Sequence, residues 1–475
     1  MATDYKNLID GELVDNGSWM DVVNPANEEV IGRVPASTKD DLDRAVAAAR
    51  AAFPKWSKTP IDERRAAIQA ISKAIADNSE ELYRLLTSEQ GKPHAQAKGE
   101  IYGASAMAGA QATLDLEEEI LEDSDTRLVR SRRVPVGVVG GIVPWNFPVM
   151  MAMQKIVPAM LSGCTIVLKP SPFTPLATLR IAELIKDAVP AGVVNIITGP
   201  DELGPLITEH PDIDKITFTG STATGKKIME GASKDLKRIT LELGGNDASI
   251  VLPDADVEKV AEQLFWASFQ NAGQICVAAK RIYIHEDIYE QLSAAIAEYA
   301  KGVTVGDGSQ QGTGIGPIQN RKQFERVKEL IQDAKDNGYK FLVGGEDSDP
   351  SGTGYYVPIT ILDNPPEDAR IVAEEQFGPV MPLMKFADED EAVARANASE
   401  YGLAGSVWTK DTDKGQQIAE RMETGTVWIN ETMHLSPFQP FGGHKQSGFG
   451  AEYGKEGLLE FTYPQVITVR RDAAV

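Results

Sequence analysis

A chain of 475 residues is longer than one hydrophobic core usually serves, so at least two domains are expected and a lone binding module is disfavoured. With 42% hydrophobic and 25% charged residues, the composition excludes wholesale disorder, collagen and small disulfide scaffolds. The net charge of −23, from 70 acidic and 47 basic residues, repels phosphate backbones and anionic bilayers, so neither nucleic acid nor membrane is expected as a partner.

Two cysteines, Cys164 and Cys276, cannot make a multi-bridge framework, so a reducing, cytoplasmic setting is expected. Asp4, Lys6, Asp10, Glu12 and Asp15 crowd the start and no apolar run follows a basic one, so no signal peptide is expected. Residues 134–154 carry no charge, but Pro135, Gly137, Gly140, Gly141, Pro144, Asn146 and Pro148 punctuate them. That pattern predicts a buried strand, a turn and a helix start, not a membrane span.

In chain order, Thr38 precedes an acidic turn and an Ala-rich helix over 40–53 that should stop before Pro54. Pro60 opens a second helix over 61–76, and a third runs over 79–90. At 123–139 the composition changes to DSDTRLVRSRRVPVGVV, which predicts an extended hairpin crossing between domains or subunits. Its arginines suit a charge-protected strand edge or one paired in an oligomer. Strands over 136–143, 165–169, 193–198, 215–219 and 239–243 then alternate with helices, the rhythm of a parallel sheet covered on both faces. A second α/β region begins near Gly245, with strands over 248–252, 280–284, 341–344, 380–386, 405–409 and 426–429, and the tail 459–470 reads as an edge strand. The fold class is therefore α/β, with a doubly wound, Rossmann-like first region.

Several motifs carry chemistry. GSTATGKK at 220–227 follows a strand and opens a helix, but Lys227 stands where a P-loop needs the Ser or Thr that holds magnesium. The candidate acidic strand 250–254 is interrupted by Pro253, so a P-loop NTPase is rejected, while a glycine turn and helix start still suit a diphosphate. GTGIG at 312–316 lacks a preceding strand and reads as a loop. Cys276 lies among small residues in QNAGQICVA, where it is either a reachable nucleophile or a buried inert thiol; Cys164, at the mouth of an apolar strand, reads as inert. No spacing ties His94, His210, His285, His434 or His444 to Cys276 as in a Cys-His hydrolase. Glu242 closes the apolar run ITLELGG and is either a desolvated general base or a strand-end charge. Asn146, between the prolines of PWNFP, is either an oxyanion donor or a turn cap. Lys169 and Pro170 end a strand on the side where open parallel sheets bind ligands.

Taken in order, PWNFP, LKPSPFTP, FTGS, LELGGN, GQICVA, EEQFGPV and PFGGHKQSG resemble the aldehyde dehydrogenase superfamily over essentially the whole chain. The resemblance implies oxidation of an aldehyde to an acid with a nicotinamide dinucleotide. The catalytic set it implies is Cys276, Glu242, Asn146 and Lys169: the Cys276 thiolate forms a thiohemiacetal and then a thioester. Asn146 and the Cys276 N–H hold the oxyanion, and Glu242 activates the hydrolytic water. Ile142, Val143, Pro144, Trp145, Lys169, Ser171, Gly220, Ser221, Gly225, Leu243, Glu375 and Phe377 would bind the cofactor. Phe147, Met150, Gln154, Trp266, Phe269, Leu435 and Phe441 would line the substrate tunnel, with Glu431, Met433 and His434 in a variable loop beside it.

One departure concerns the cofactor: many NAD-dependent relatives carry Glu where this chain has Pro172. Its loss removes a bar against NADP, but no Lys or Arg appears in SPFTP to attract a 2′-phosphate, so NAD is preferred with NADP the alternative. Gln154 stands where relatives acting on carboxylated semialdehydes can place Arg, so aliphatic or aromatic aldehydes are favoured as substrates. The resemblance further implies a dinucleotide-binding domain (1–114 and 135–244), a catalytic domain (245–445) and a bridging segment (115–134 and 459–475) that assembles a homodimer or homotetramer. No metal is implied. The alternatives are a coenzyme A-acylating dehydrogenase, whose members generally lack the Glu242 base, and an NAD-binding scaffold that has lost its chemistry.

Overall fold

The computed structural model describes residues 3–345 and 352–472; residues 1–2 and 473–475 of the expected domain bounds lie outside the described residues. Its first sheet has eight strands. Five are parallel, in the spatial order Val194–Ile196, Thr165–Lys169, Val138–Ile142, Lys215–Thr219, Arg238–Glu242. In chain order that is 3-2-1-4-5, the doubly wound arrangement expected from the strand-helix rhythm. Alternate residues of one strand face different cores: Ile166 and Leu168 pack with the helices Pro148–Ser162 and Ile61–Asp77, while Val167 packs with Lys39–Trp56 and Leu203–Glu209. On one side Asn7–Ile9 pairs antiparallel to Val194–Ile196 and Glu12–Val14 forms the edge beyond it, and Gly448–Phe449 closes the other side against Arg238–Glu242.

The second sheet has seven strands, with Asp247–Val251 between Ala279–His285 and Ala404–Trp408. All its pairings are parallel except Lys340–Val343 against Thr360–Asp363. A third, antiparallel sheet joins Glu119–Asp123, Arg127–Pro135 and Thr462–Arg470. The hairpin begins at Glu119, earlier than the expected 123–139, and ends at Pro135, since Val138–Ile142 joins the first sheet; the arginine-rich strand is the middle one of the third sheet, because the tail pairs along its whole length from Thr462↔Pro135 to Arg470↔Arg127.

Other expectations are corrected. The first helix runs through Pro54 to Trp56, since the missing N–H costs one bond and the buried Trp56 anchors the following turn in the core. A fourth helix, His94–Gln111, was not foreseen: it is rich in Ala and Gly and buries Ala97, Ile101, Ala104 and Ala108 without a strong polar stripe. The N-terminal strands Trp19–Val23 and Val30–Pro35 also escaped the sequence reading. GTGIG contributes the short strand Thr313–Ile315, paired with Thr304–Val305, because Gly314 lies under Val303 and Trp266. The 250–254 segment belongs to the second sheet, so it cannot serve the Gly220 turn as a neighbouring acidic strand.

Candidate active site

Cys276 follows the 3₁₀ turn Gln270–Gly273, in which Asn271, Ala272 and Gly273 all have positive φ. A Cβ on Gly273 would fall 2.0 Å from the Gly378 carbonyl oxygen, so that close approach requires glycine. The turn delivers Cys276 to a cavity of about 940 Å³ lined by Phe147, Met150, Gln154, Trp266, Leu435 and Phe441 among others. Met433 and Glu431 line it too, whereas His434 and Phe269 do not. Phe269 is fully buried and stacks on Phe265 one helical turn earlier, so this face of Val257–Phe269 enters the second sheet's core while Trp266 turns to the cavity.

Burial pushes the Cys276 thiol up to about 12; Lys280 opposes the shift, and the Glu242, Glu375 and Asp247 carboxylates add to it. Glu242 ends its strand only 3% exposed, its Oε1 without a hydrogen-bond partner among the described residues. Burial raises its pKa to about 8, against the pull of Lys155. Lys155 is itself buried; it donates to Thr219 Oγ1 at 2.7 Å and ion-pairs with Glu452, and burial lowers its pKa to about 7.

The Asn146 amide Nδ2 donates to the Gln274 carbonyl at 2.9 Å. An amide has two N–H groups, so a second donor is left. Its backbone carbonyl accepts from Lys92 Nζ at 2.8 Å and Asn271 Nδ2 at 3.1 Å. Lys92 also pairs with Glu100 at 2.5 Å and stands 3.8 Å from the Phe147 ring centroid. Glu100 Oε1 in turn accepts the N–H groups of Val149 and Met150, at the start of helix Pro148–Ser162.

The remaining candidates gather at the carboxyl ends of the first sheet's strands, on either side of the point where strand order reverses between Val138–Ile142 and Lys215–Thr219. Open α/β sheets bind ligands at such a point. Ile142, Val143, Pro144 and Trp145 leave the first strand, and Trp145 meets Phe377 edge-on at 5.3 Å. Gly220 leaves the other strand, and Ser221 caps helix Thr222–Ser233 by accepting from the Thr224 N–H at 3.3 Å. Gly225 lets the helix approach Leu243, whose Cδ2 would lie 2.6 Å from an added Cβ. Ser171 turns the chain after Lys169, accepting from the Phe173 N–H at 3.3 Å. Glu375 accepts from the Gly245 N–H at 3.0 Å.

The Aldehyde dehydrogenase family profile matches residues 13–467. The chain belongs to the aldehyde dehydrogenase family. It is 43% identical to a probable aldehyde dehydrogenase of Pseudomonas sp, over 98% of this chain and 95% of that one. It is 39% identical to the NADP-dependent succinate-semialdehyde dehydrogenase of Escherichia coli (strain K12), over 96% of each chain. A betaine aldehyde dehydrogenase from Staphylococcus aureus, solved in complex with NAD+, superposes with a TM-score of 0.96 at 35% identity, covering 99% of this chain and 96% of that one. The activity of this aldehyde dehydrogenase is oxidation of an aldehyde to the acid with NAD or NADP.

The residues at the switch point fit such a dinucleotide. Lys169 is 3% exposed yet its ammonium has no hydrogen-bond partner among the described residues, and Ser221 caps a twelve-residue helix whose N–H groups suit a diphosphate. A Cβ on Gly220 would fall 2.4 Å from the Phe218 ring, and one on Gly244 would fall 2.4 Å from Glu375 Oε2, so a larger residue at either turn would displace a neighbouring side chain. Burial lowers Lys169 to about 8 while Asp201 and Glu202 hold it up, and neither acid acts on Cys276. Lys169 ends the strand Thr165–Lys169 at the carboxyl edge of the first sheet, the edge that also carries Ile142 and Gly220. The sequence reading missed Lys155, Glu452, Lys92, Glu100 and Lys280; their only early signal is charge inside otherwise apolar or small-residue runs.

Proposed function

We propose that the enzyme is a hydrolytic, NAD-preferring dehydrogenase of uncharged aliphatic or aromatic aldehydes, with Cys276 as nucleophile. The observation that carries this reading is Cys276 on the wall of the large cavity, with the partnerless Glu242 carboxyl acting on its thiol and the Asn146 amide tied to the Gln274 carbonyl two residues before it. Cys276 attacks the carbonyl carbon as a thiolate, forming the C–S bond of a thiohemiacetal, and the Asn146 amide with the Cys276 N–H holds the oxyanion. NAD+, when bound, supplies the acceptor for the hydride that leaves that carbon. Glu242 takes a proton from water as the oxygen attacks the resulting thioester; the C–S bond breaks, and the acid departs. A carboxyl with a pKa near 8 is matched to that task at neutral pH. The Lys155 ammonium, paired with Glu452, favours the ionised form of Glu242 through its charge.

Asp201 and Glu202 beside Lys169 place negative charge where a 2′-phosphate would come, which supports NAD over NADP. Gln154, whose Oε1 is buried without a partner, offers a substrate an amide and no charge, unlike the arginine suited to a carboxylate. We assign the domain bounds given by the family resemblance. The exposed Ile120, Leu121, Val466 and Val469 of the third sheet support its role as the surface joining copies into a dimer or tetramer. Two unpaired cysteines support a cytoplasmic setting; no described helix is long and apolar enough to cross a membrane.

The test is NADH formation over a panel of short aliphatic, aromatic and ω-carboxylated aldehydes, without coenzyme A, beside Cys276→Ala. Turnover of the uncharged members that vanishes in the variant is expected. Turnover that needs coenzyme A, or an active Cys276→Ala, overturns the reading.

A further inference from the structure

Lys280 is the second residue of the strand Ala279–His285 and is 2% exposed. An ammonium has three N–H donors. Here it donates to the carbonyls of Ile275 at 2.9 Å and Cys276 at 2.6 Å, and pairs with Glu375 Oε1 at 3.3 Å. One buried cation thus holds the backbone of the nucleophile's turn on one side and Glu375 on the other. The Phe377 ring lies 6.0 Å away, so the nearest groups leave the ammonium little room to swing.

The charges around the thiol give that cation a second consequence. Glu242 faces Cys276 from the end of the first sheet, Glu375 from the loop before Val380–Phe386, and Asp247 from the start of its own strand. Tyr453 adds a hydroxyl from the C-terminal segment. Arg281 acts on Asp247 and donates to the carbonyls of Asn246 and Ala396, so it is held on the far side of that acid. Lys155 is engaged with Glu452 and Thr219. Asp247 Oδ2 has no hydrogen-bond partner among the described residues, which leaves Lys280 the foremost cation acting on it. Three carboxyls therefore oppose a thiolate, and Lys280 is the cation fastened to that cysteine's own carbonyl.

We propose that Lys280 is a positioning residue for the nucleophile: its ammonium ties the turn carrying Cys276 to Glu375 and offsets the carboxylates that oppose the thiolate. This rests on the reading of Cys276 as nucleophile. Lysine suits the role because its point charge can accept three different geometries, where a planar guanidinium would demand two parallel acceptors. A neutral side chain at 280 brings no charge, whereas arginine keeps it with a different geometry, so the two parts of the role can be separated.

The experiment is the pH dependence of iodoacetamide alkylation of Cys276 in the full-length protein without cofactor, with the labelled site mapped by mass spectrometry. In Lys280→Gln and Lys280→Met the alkaline rise of the labelling rate should lie about one pH unit or more higher, the usual effect of losing an opposite charge at close range, and is read from rates on its low-pH limb where the protein is folded. At fixed pH below the inflection, that is about a tenfold slower labelling. Lys280→Arg should restore most of the shift. Glu375→Gln removes a carboxylate that itself opposes the thiolate and should move the inflection down; the same substitution combined with Lys280→Gln isolates the share that the lysine contributes. Profiles that superpose on the parent in folded Lys280 variants, or on Glu375→Gln in the double variant, overturn the proposal. An inactive Cys276→Ala beside an unmoved alkylation profile removes only the role of Lys280, whereas an active Cys276→Ala removes the nucleophile reading itself.

Discussion

Two buried lysine–glutamate pairs flank the site, and they differ in how completely their polar atoms are satisfied. Lys92 has Glu100, the Asn146 carbonyl and the Phe147 ring, and the other oxygen of Glu100 accepts two backbone N–H groups. Lys155 has Glu452 and a threonine hydroxyl, while Glu242 in its field keeps an oxygen with no partner. A buried charge with every valence filled has nothing to gain by moving a proton, so the first pair is a fastener for the PWNFP turn. A buried acid left short of partners sits near the pH at which it exchanges a proton, so the second cluster is chemical. Burial alone would have called the two clusters alike; the hydrogen-bond accounting separates them.

The sharpest way to break that contrast is Glu242→Gln. It should lower the steady-state rate by about 100- to 10,000-fold, the span typical of a lost general base. A burst of about one NADH per site should survive if hydrolysis of the thioester is the step lost, measured by stopped-flow absorbance. The same variant tests stability with a defined sign. Glu242 titrates near 4.5 when unfolded and near 8 when folded, so the folded parent loses stability as pH rises through that window. Glu242→Gln should therefore match the parent below about pH 4.5 and be the more stable of the two above about pH 8, by chemical denaturation. A variant less stable at high pH would contradict the buried, partnerless carboxyl.

Lys92→Met is the counterpart on the fastener. It leaves Glu100 buried without its cation and should cost about 3–5 kcal/mol in a denaturation midpoint experiment. A cost below about 1 kcal/mol, the range of an exposed pair, would show that the Lys92–Glu100 pair fastens nothing. Lys155→Met is smaller in effect and different in kind. With the cation gone, the Glu242 carboxylate loses its one electrostatic support, and the inflection in the pH–rate profile should rise from about 8 by about one unit. No movement of that inflection would detach Lys155 from the chemistry.

Much of this was legible beforehand, and the limits follow from which interactions are local. The five central strands announced themselves because both of their faces are buried, and their residues form near-continuous apolar runs. Cys276, Glu242 and Asn146 stood out because each is a reactive or polar group in a motif of glycines and prolines. His94–Gln111 did not, because a helix buried through small residues has too weak an amphipathic period to read. Glu100 sits in that same helix and meets Asn146 only through Lys92. Lys155 and Glu452 are 297 residues apart and their pairing exists only once Gly448–Phe449 has docked on the first sheet. Phe269 was misplaced by a single residue of helix rotation, which periodicity cannot resolve when aromatics occupy neighbouring positions.

The smallest effect belongs to the other thiol, and it isolates what the surroundings of Cys276 contribute. Cys164 is fully buried, its Sγ donates to the Phe461 carbonyl at 3.3 Å, and burial raises its pKa as it does that of Cys276. Desolvation thus opposes both thiolates, but Cys164 is sealed in the core whereas Cys276 is partly exposed. A lysine acts on each thiol, Lys215 on Cys164 and Lys280 on Cys276, so what differs is the cavity in front of Cys276 and the direct hold of Lys280 on its carbonyl. Cys164→Ala should accordingly leave kcat and KM unchanged and cost on the order of 1 kcal/mol, the typical effect of a small core truncation. In the folded parent, iodoacetamide should label Cys276 alone, with Cys164 reacting only after denaturation, as read by peptide mass mapping. Labelling of Cys164 at a comparable rate would mean that access and the hold of Lys280 do not distinguish the two thiols, and the contrast between satisfied and unsatisfied buried groups would lose its simplest case.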